Sequence, residues 1–170
     1  MIERRREGAV ARLVLNAPER LNALSDEMLA ALGDALTDVR GSDAKAVVIA
    51  GAGRAFCAGH DLRQMQAARQ APDGGAAAFA DLFARCTEVM LAVRTLPQPV
   101  VAEVHGVAVA AGCQLAATCD MVVAADDARF GVNGVNIGLF CSTPMVALTR
   151  AVGRKAAFEM LTTGRLVPAE

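Results

Sequence analysis

The sequence predicts an α/β fold, and three observations carry that prediction. Apolar runs at 46–50, 99–104 and 121–124 have the length and content of buried strands. Segments with helical period, 25–41 and 76–93 among them, alternate with these runs. Turn residues such as Gly51-Ala52-Gly53 and Pro97-Gln98-Pro99 punctuate the alternation. Strand-then-helix units repeated along one chain argue for α/β architecture. At 170 residues the chain fits a single domain, 1–170, large enough to bury a core.

In order, Ala9 to Leu15 reads as a strand, with Asn16 to Arg20 as turn chemistry after it. Ser25 caps a helix whose first turn holds Asp26 and Glu27, whose apolar face holds Met28, Leu32, Ala35, Leu36 and Val39, and which Gly41 ends. Arg63 to Gly75 is polar and loses its period, which predicts a mobile loop. Ala76 to Val93 is helical, with Phe79, Leu82, Phe83, Cys86, Val89, Met90 and Val93 on its packing face. Pro99 to Val104 and Met121 to Ala124 read as buried strands, and Ala128 to Gly131 as a short extended piece. Ser142 or Thr143 begins a helix toward Val152, with Pro144 in its first turn, and Arg154 to Leu161 makes another. Leu166 to Glu170 reads as a strand remnant followed by a helix start.

The formal charge of -1 supplies no basic field for nucleic acid. Arg4-Arg5-Arg6, flanked by Glu3 and Glu7, reads as a solvated end. Five cysteines without Cys-x-x-Cys spacing, beside only two histidines, give neither a disulfide framework nor a metal site. With no signal pattern before the first strand, the expectation is a cytoplasmic protein. The most apolar stretch, 104–119, is too short and too interrupted for a membrane span.

Two stretches carry chemistry. Arg54-Ala55-Phe56-Cys57-Ala58-Gly59-His60-Asp61-Leu62 follows the first apolar run, and Gly106 to Leu115 follows the second. Small residues at such junctions let backbone come close to a ligand, or serve tight packing of helix on sheet. Two helix starts with unused N–H groups would direct two donors at one developing negative oxygen.

These stretches, AFCAGHDL and HGVAVAAGCQLAATCD, resemble the two signatures of the crotonase superfamily, the enoyl-CoA hydratase/isomerase family. The likeness extends from Asn16-Ala-Pro-Glu-Arg-Leu-Asn-Ala-Leu24 through Leu161-Thr-Thr-Gly164. It implies the crotonase (ClpP-like) fold, a repeated β-β-α superhelix, with the C-terminal helices of the family apparently missing after Glu170. It also implies an acyl-CoA thioester as the bound partner, coenzyme A being part of the substrate, with no cofactor and no metal, in a homotrimer or hexamer. The donors that would hold the enolate are the backbone N–H groups of His60 and Ala111. Arg20, Leu21, Asn22, Ala23 and Leu24, with Ala58, Asp61, Leu62 and Arg63, match positions that touch coenzyme A, while Arg20 and Arg63 are equally suited to solvated surface.

The chain departs from the family at the catalytic carboxylates. Gln114 and Gly134 stand at the positions of the two family glutamates. An amide holds a water but neither takes nor gives its proton near neutral pH. Hydration by the two-carboxylate route is therefore not expected. A reaction that needs no base, such as decarboxylation of a malonyl-type thioester, fits better, and a non-catalytic acyl-CoA-binding relative is the alternative. Family members with AGHD at the first signature include thioester decarboxylases, so His60 offers either its imidazole or only its N–H. Asn133 and Asn136 offer amides beside Gly134 or sit in turns, and Cys141 offers a thiolate at a helix start, with Ser142 or Thr143 as the cap. Asp120 fixes a turn, and Glu103 and His105 fit a buried, paired structural role. The run Gly134-Val-Asn-Ile-Gly-Leu-Phe-Cys-Ser-Thr143 resembles a divergent branch of the family, the enoyl-CoA hydratase domain-containing protein 3 group, which also lacks the standard glutamates.

Overall fold

A computed structural model describes residues 1–170 and shows α/β architecture. The strands are β1 (Ile2–Glu7), β2 (Val10–Leu15), β3 (Ala46–Gly51), β4 (Val100–Val104), β5 (Val107–Val109), β6 (Met121–Ala124), β7 (Arg129–Gly131) and β8 (Val167–Pro168). The helices are α1 (Asp26–Arg40), α2 (Leu62–Ala68), α3 (Ala76–Arg94), α4 (Ala111–Thr118), α5 (Ser142–Ala151) and α6 (Arg154–Thr163). One sheet runs β1-β2-β3-β4-β6, parallel except for the β1–β2 hairpin. A smaller sheet, β5-β7-β8, stands beside it.

The parallel strands β3 and β4 are apolar runs because both of their faces are covered. Val47, Ile49, Val100, Ala102 and Val104 pack with Met28, Leu32 and Leu36 of α1 and Val89 and Val93 of α3. Burial of each large side chain contributes about 1.5–3 kcal/mol. Ser25 starts α1, its hydroxyl accepting from the Met28 N–H at 3.2 Å. A second core joins Cys113 of α4 to Cys141, Leu148 of α5 and Ala157, Met160 and Leu161 of α6. Ala111 belongs to the first core and Cys113 to the second, so the start of α4 is the seam between them.

Several expectations are corrected. The basic N-terminal run is the strand β1, whose exposed arginines pair with Asp38, Asp43 and Glu3. Residues 63–68 of the expected loop belong to α2, whose start the Asp61 carboxylate caps by accepting from Arg63 N at 2.8 Å and Gln64 N at 3.3 Å. β6 is a strand but an exposed edge rather than a buried one: Met121, Val122 and Val123 all face outward. β5 was hidden inside the small-residue stretch, since three residues give no readable period. Asp120 accepts from Val100 N at 2.8 Å, which ties the start of β4 to the residue before β6 rather than closing a local turn. Glu103 is paired with Arg12, and His105 Nε2 lies 2.7 Å from the Gly53 carbonyl, but neither is buried.

Candidate active site

The two small-residue stretches are brought together. Cys57 bridges Ala108 and His60 bridges Leu24, so the segment 57–60 lies between the loop before α1 and the strand β5. Gly59 has φ +91, and a Cβ there would stand 2.9 Å from the Ala110 Cβ and 3.3 Å from the Ala111 nitrogen. Gly112 lies equally close to the Cys57 carbonyl, at 2.2 Å from where its Cβ would be. Side chains at either position would force the two backbones apart. Neither the His60 N–H nor the Ala111 N–H donates to a backbone carbonyl. Ala111 is also the first residue of α4, where the helix end adds positive potential.

Ala110, within the second stretch, has φ 49 and ψ -122. A non-glycine residue held there stores about 1–3 kcal/mol of strain, which the surroundings must over-determine. Its N–H donates to Gly131 O at 2.9 Å and its carbonyl accepts from Gln114 N at 3.0 Å, so β7 and α4 clamp it. This strain aims the first amide of α4. Nothing in an alanine announced it in the sequence.

His60 and Ala111 line one cavity of about 230 Å³, with Ala58, Leu62, Phe83, Asn133, Gly134 and Cys141 among its other walls. Exposed Leu62, Phe83, Ile137, Leu139 and Phe140 make its mouth apolar. Of these five, Ile137, Leu139 and Phe140 were not singled out from the sequence, and Phe83 was read as core; apolar residues in an irregular stretch carry no period that marks a pocket. No carboxylate lines the cavity. Both His60 ring nitrogens are buried without partners, and the ring meets Phe83 edge-on with centroids 6.0 Å apart. Burial lowers the His60 pKa from its ordinary value; the Leu24 carbonyl opposes this in part without completing a hydrogen bond. The imidazole is neutral at pH 7.

Gly134 lines the same cavity, and its surroundings admit no side chain: a Cβ would lie 2.2 Å from the Leu139 carbonyl oxygen and 2.8 Å from the Cys141 sulfur. The expectation of a thiolate at Cys141 does not hold, because burial raises this thiol by more than the Gly134 N–H, which donates to the sulfur at 3.3 Å, lowers it. Ser142 and Thr143 are not caps; they are the first residues of α5, which has no side-chain cap. Asn136 donates to Gly164 O at 3.4 Å, a structural contact.

Gln114 does not line this cavity. It faces a larger groove of about 800 Å³ between α3, α4, β6 and α5, and its Oε1 is buried without a partner. Thr143 is the one residue in both walls.

The residues of the 16–24 segment, and those beside it matched to coenzyme A, serve mainly as structure. Asn22, fully buried at φ 54, donates to Ala52 O at 2.9 Å and Ala55 O at 2.8 Å and accepts from Ala17 N at 2.9 Å. Leu21, at φ 52, accepts from Ala58 N at 3.0 Å through its carbonyl. Ala23 and Leu24 are buried, and Arg20 reaches Asp61 at 3.4 Å. Arg63 is exposed and forms no ion pair. Among the residues matched to coenzyme A contacts, only Ala58, His60, Leu62 and Ala111 line the cavity.

Residues 5–170 match the family described as enoyl-CoA hydratase/isomerase. A rat protein named enoyl-CoA hydratase domain-containing protein 3, mitochondrial, is 46% identical over 98% of this chain and 54% of its own length. A crystal structure of an enoyl-CoA hydratase from Mycobacterium smegmatis superposes with a TM-score of 0.93 at 56% identity, over 99% of this chain and 64% of that one. Human enoyl-CoA hydratase domain-containing protein 3 superposes with a TM-score of 0.91 at 43% identity, over 99% of this chain and 65% of that one. The chain thus spans about half the length of the curated relatives it matches and about two thirds of these structures. The expectation of a cytoplasmic location is overturned: the rat and human relatives are both named mitochondrial, and reduced thiols do not separate cytoplasm from organelle.

Proposed function

Because this chain belongs to the enoyl-CoA hydratase/isomerase family, we propose that it binds an acyl-CoA thioester and stabilises its enolate at the His60 and Ala111 amides. The observation that carries this reading is the pair of unused N–H groups lining one cavity that contains no carboxylate. A donor of this kind contributes about 10²–10³ in rate, whereas each absent acid/base group forgoes about 10²–10⁴. Chemistry that needs the donors and not the carboxylates is favoured over hydration.

Decarboxylation of a β-carboxyacyl-CoA meets that condition. The bond between the α carbon and the carboxyl carbon breaks, CO₂ leaves, and the electron pair passes into the thioester as an enolate whose oxygen the two N–H groups hold. Solvent water then protonates the α carbon. The apolar mouth also disfavours the charged carboxylate of the ground state relative to the delocalised enolate.

The test is turnover by the full-length protein of malonyl-type thioesters beside crotonyl-CoA. Release of CO₂ with no hydration supports the reading, and hydration without decarboxylation overturns it. A second reading, a non-catalytic acyl-CoA binder, draws on the same cavity, whose two ionisable side chains, His60 and Cys141, are both held neutral by burial. It predicts calorimetric binding of acyl-CoA with no turnover of any thioester. Assembly as a homotrimer or hexamer belongs to this proposal too and is read by light scattering.

A further inference from the structure

We propose that the imidazole of His60 is a general base that removes an α-proton from bound acyl-CoA, giving the protein a second activity: exchange of the α-protons of saturated acyl-CoA thioesters with solvent. This rests on the acyl-CoA reading above. His60 lines the same cavity as Ala111. Its ring belongs to the residue whose backbone N–H is the proposed donor, so the ring nitrogens stand a few bonds from the atom that would hold the thioester oxygen. The α carbon is the second atom along from that oxygen. A base on the side chain of residue 60 is thus tethered beside the proton it takes.

Neither Nδ1 nor Nε2 of His60 has a hydrogen-bond partner, and both atoms are shut off from solvent. Buried polar atoms normally find partners, so two orphans on one ring call for an explanation. No hydrogen bond fixes the ring's torsions, and the Cβ–Cγ torsion of histidine is broad. Turning a nitrogen toward a bound acyl group therefore costs only the edge contact with Phe83. Among the cavity's walls only His60 and Cys141 titrate, and burial keeps the Cys141 thiol protonated. The imidazole, neutral at pH 7 with a free lone pair, is in the form a base requires. The protonated ring is stabilised as well: the Leu24 carbonyl and the Asp26 carboxylate, at the start of α1, both favour it. On abstraction the imidazole lone pair takes the α-proton, and the C–H electron pair passes into the thioester as the enolate. The imidazolium exchanges its proton with solvent and returns one to the α carbon, so nothing is oxidised or reduced.

Proton NMR of butyryl-CoA with the full-length protein in deuterium oxide decides the matter. The expected result is loss of the α-methylene signal while the amount of ester stays constant. At saturating ester, His60→Gln, which keeps the backbone N–H and loses the base, exchanges about 10²-fold or more slowly. The wild-type rate falls as pH drops through the folded His60 pKa, below 6.5, where the base is protonated. That profile needs no variant and stands even where His60→Gln does not fold. Calorimetric binding of butyryl-CoA without exchange overturns the proposal and leaves acyl-CoA binding standing. A His60→Gln rate equal to wild type, or a wild-type rate flat from about pH 5 to about pH 8, also overturns it. Failure of the ester and of coenzyme A to bind removes the acyl-CoA reading itself, and this inference with it.

Discussion

The amide of Gly134 donates a hydrogen bond to the sulfur of Cys141 at 3.3 Å, and the same sulfur lies 2.8 Å from where a Gly134 Cβ would be. The position matched from the sequence to a family glutamate thus admits no side chain, with the Leu139 carbonyl oxygen 2.2 Å from where that Cβ would be.

Gly134→Ala is expected to destabilise by about 1–3 kcal/mol through overpacking, and Gly134→Glu by more. Urea denaturation measures both. Placing glutamates at 114 and 134 is therefore not expected to create a hydratase, since the second would displace the 139–141 backbone. A stable Gly134→Glu protein that hydrates crotonyl-CoA would contradict this packing.

Gly59→Ala places a methyl group 2.9 Å from the Ala110 Cβ at a φ of +91 that alanine adopts only with strain. The backbones carrying the two proposed donors separate, and under the proposed decarboxylation the turnover should fall by about 10²-fold or more. Thiolysis-free single-turnover kinetics reads the loss, with circular dichroism as the check that the fold persists. Wild-type rates in this variant would remove the donor pair from the mechanism.

Asn22→Ala deletes two donors and one acceptor from a fully buried site, leaving the Ala52 and Ala55 carbonyls and the Ala17 N–H unpaired. The loss should be about 3 kcal/mol or greater, since each orphaned group costs about 1–3 kcal/mol. Asn22→Asp, which keeps the acceptor and loses the donors, should be intermediate in thermal melting.

His60 supplies a pH dependence. Its folded pKa lies below the ordinary value of 6.5, so the unfolded chain binds more protons between the two pKa values. Its contribution to stability is complete above about pH 6.5 and declines as pH falls toward the folded pKa. Denaturation at pH 7.5 and pH 5 should show that loss in wild type and less of it in His60→Gln. An identical slope in both would mean that the ring is not desolvated.

The sequence made α1 legible because Ser25, the acidic first turn and the apolar face all agree, and the structure repeats them at Met28, Leu32, Leu36 and Val39. It made the close backbone approaches at Gly59 and Gly112 legible through residue size. It did not reveal that Gln114 and Ala111 face different cavities, because the direction of a side chain at the start of α4 depends on the strained Ala110. Nor did three exposed apolar residues in β6 announce themselves, since an apolar run reads alike whether or not anything covers it. Helix α2 is not legible because the polar run after Leu62 has no clear period and only the Asp61 cap marks its start.

The bridges Leu24 to His60 and Cys57 to Ala108 tie one short segment to two distant parts of the chain. Each closes a long loop, and such closures are entropically costly and slow relative to the local contacts of a helix. The close approach of segment 57–60 to Ala111, on which the proposed donor pair depends, is accordingly a late product of folding, formed only after β3, β4 and the loop before α1 have found one another. During refolding, recovery of acyl-CoA binding should lag behind recovery of helical signal, and a chain arrested with its helices formed would be blind to ligand.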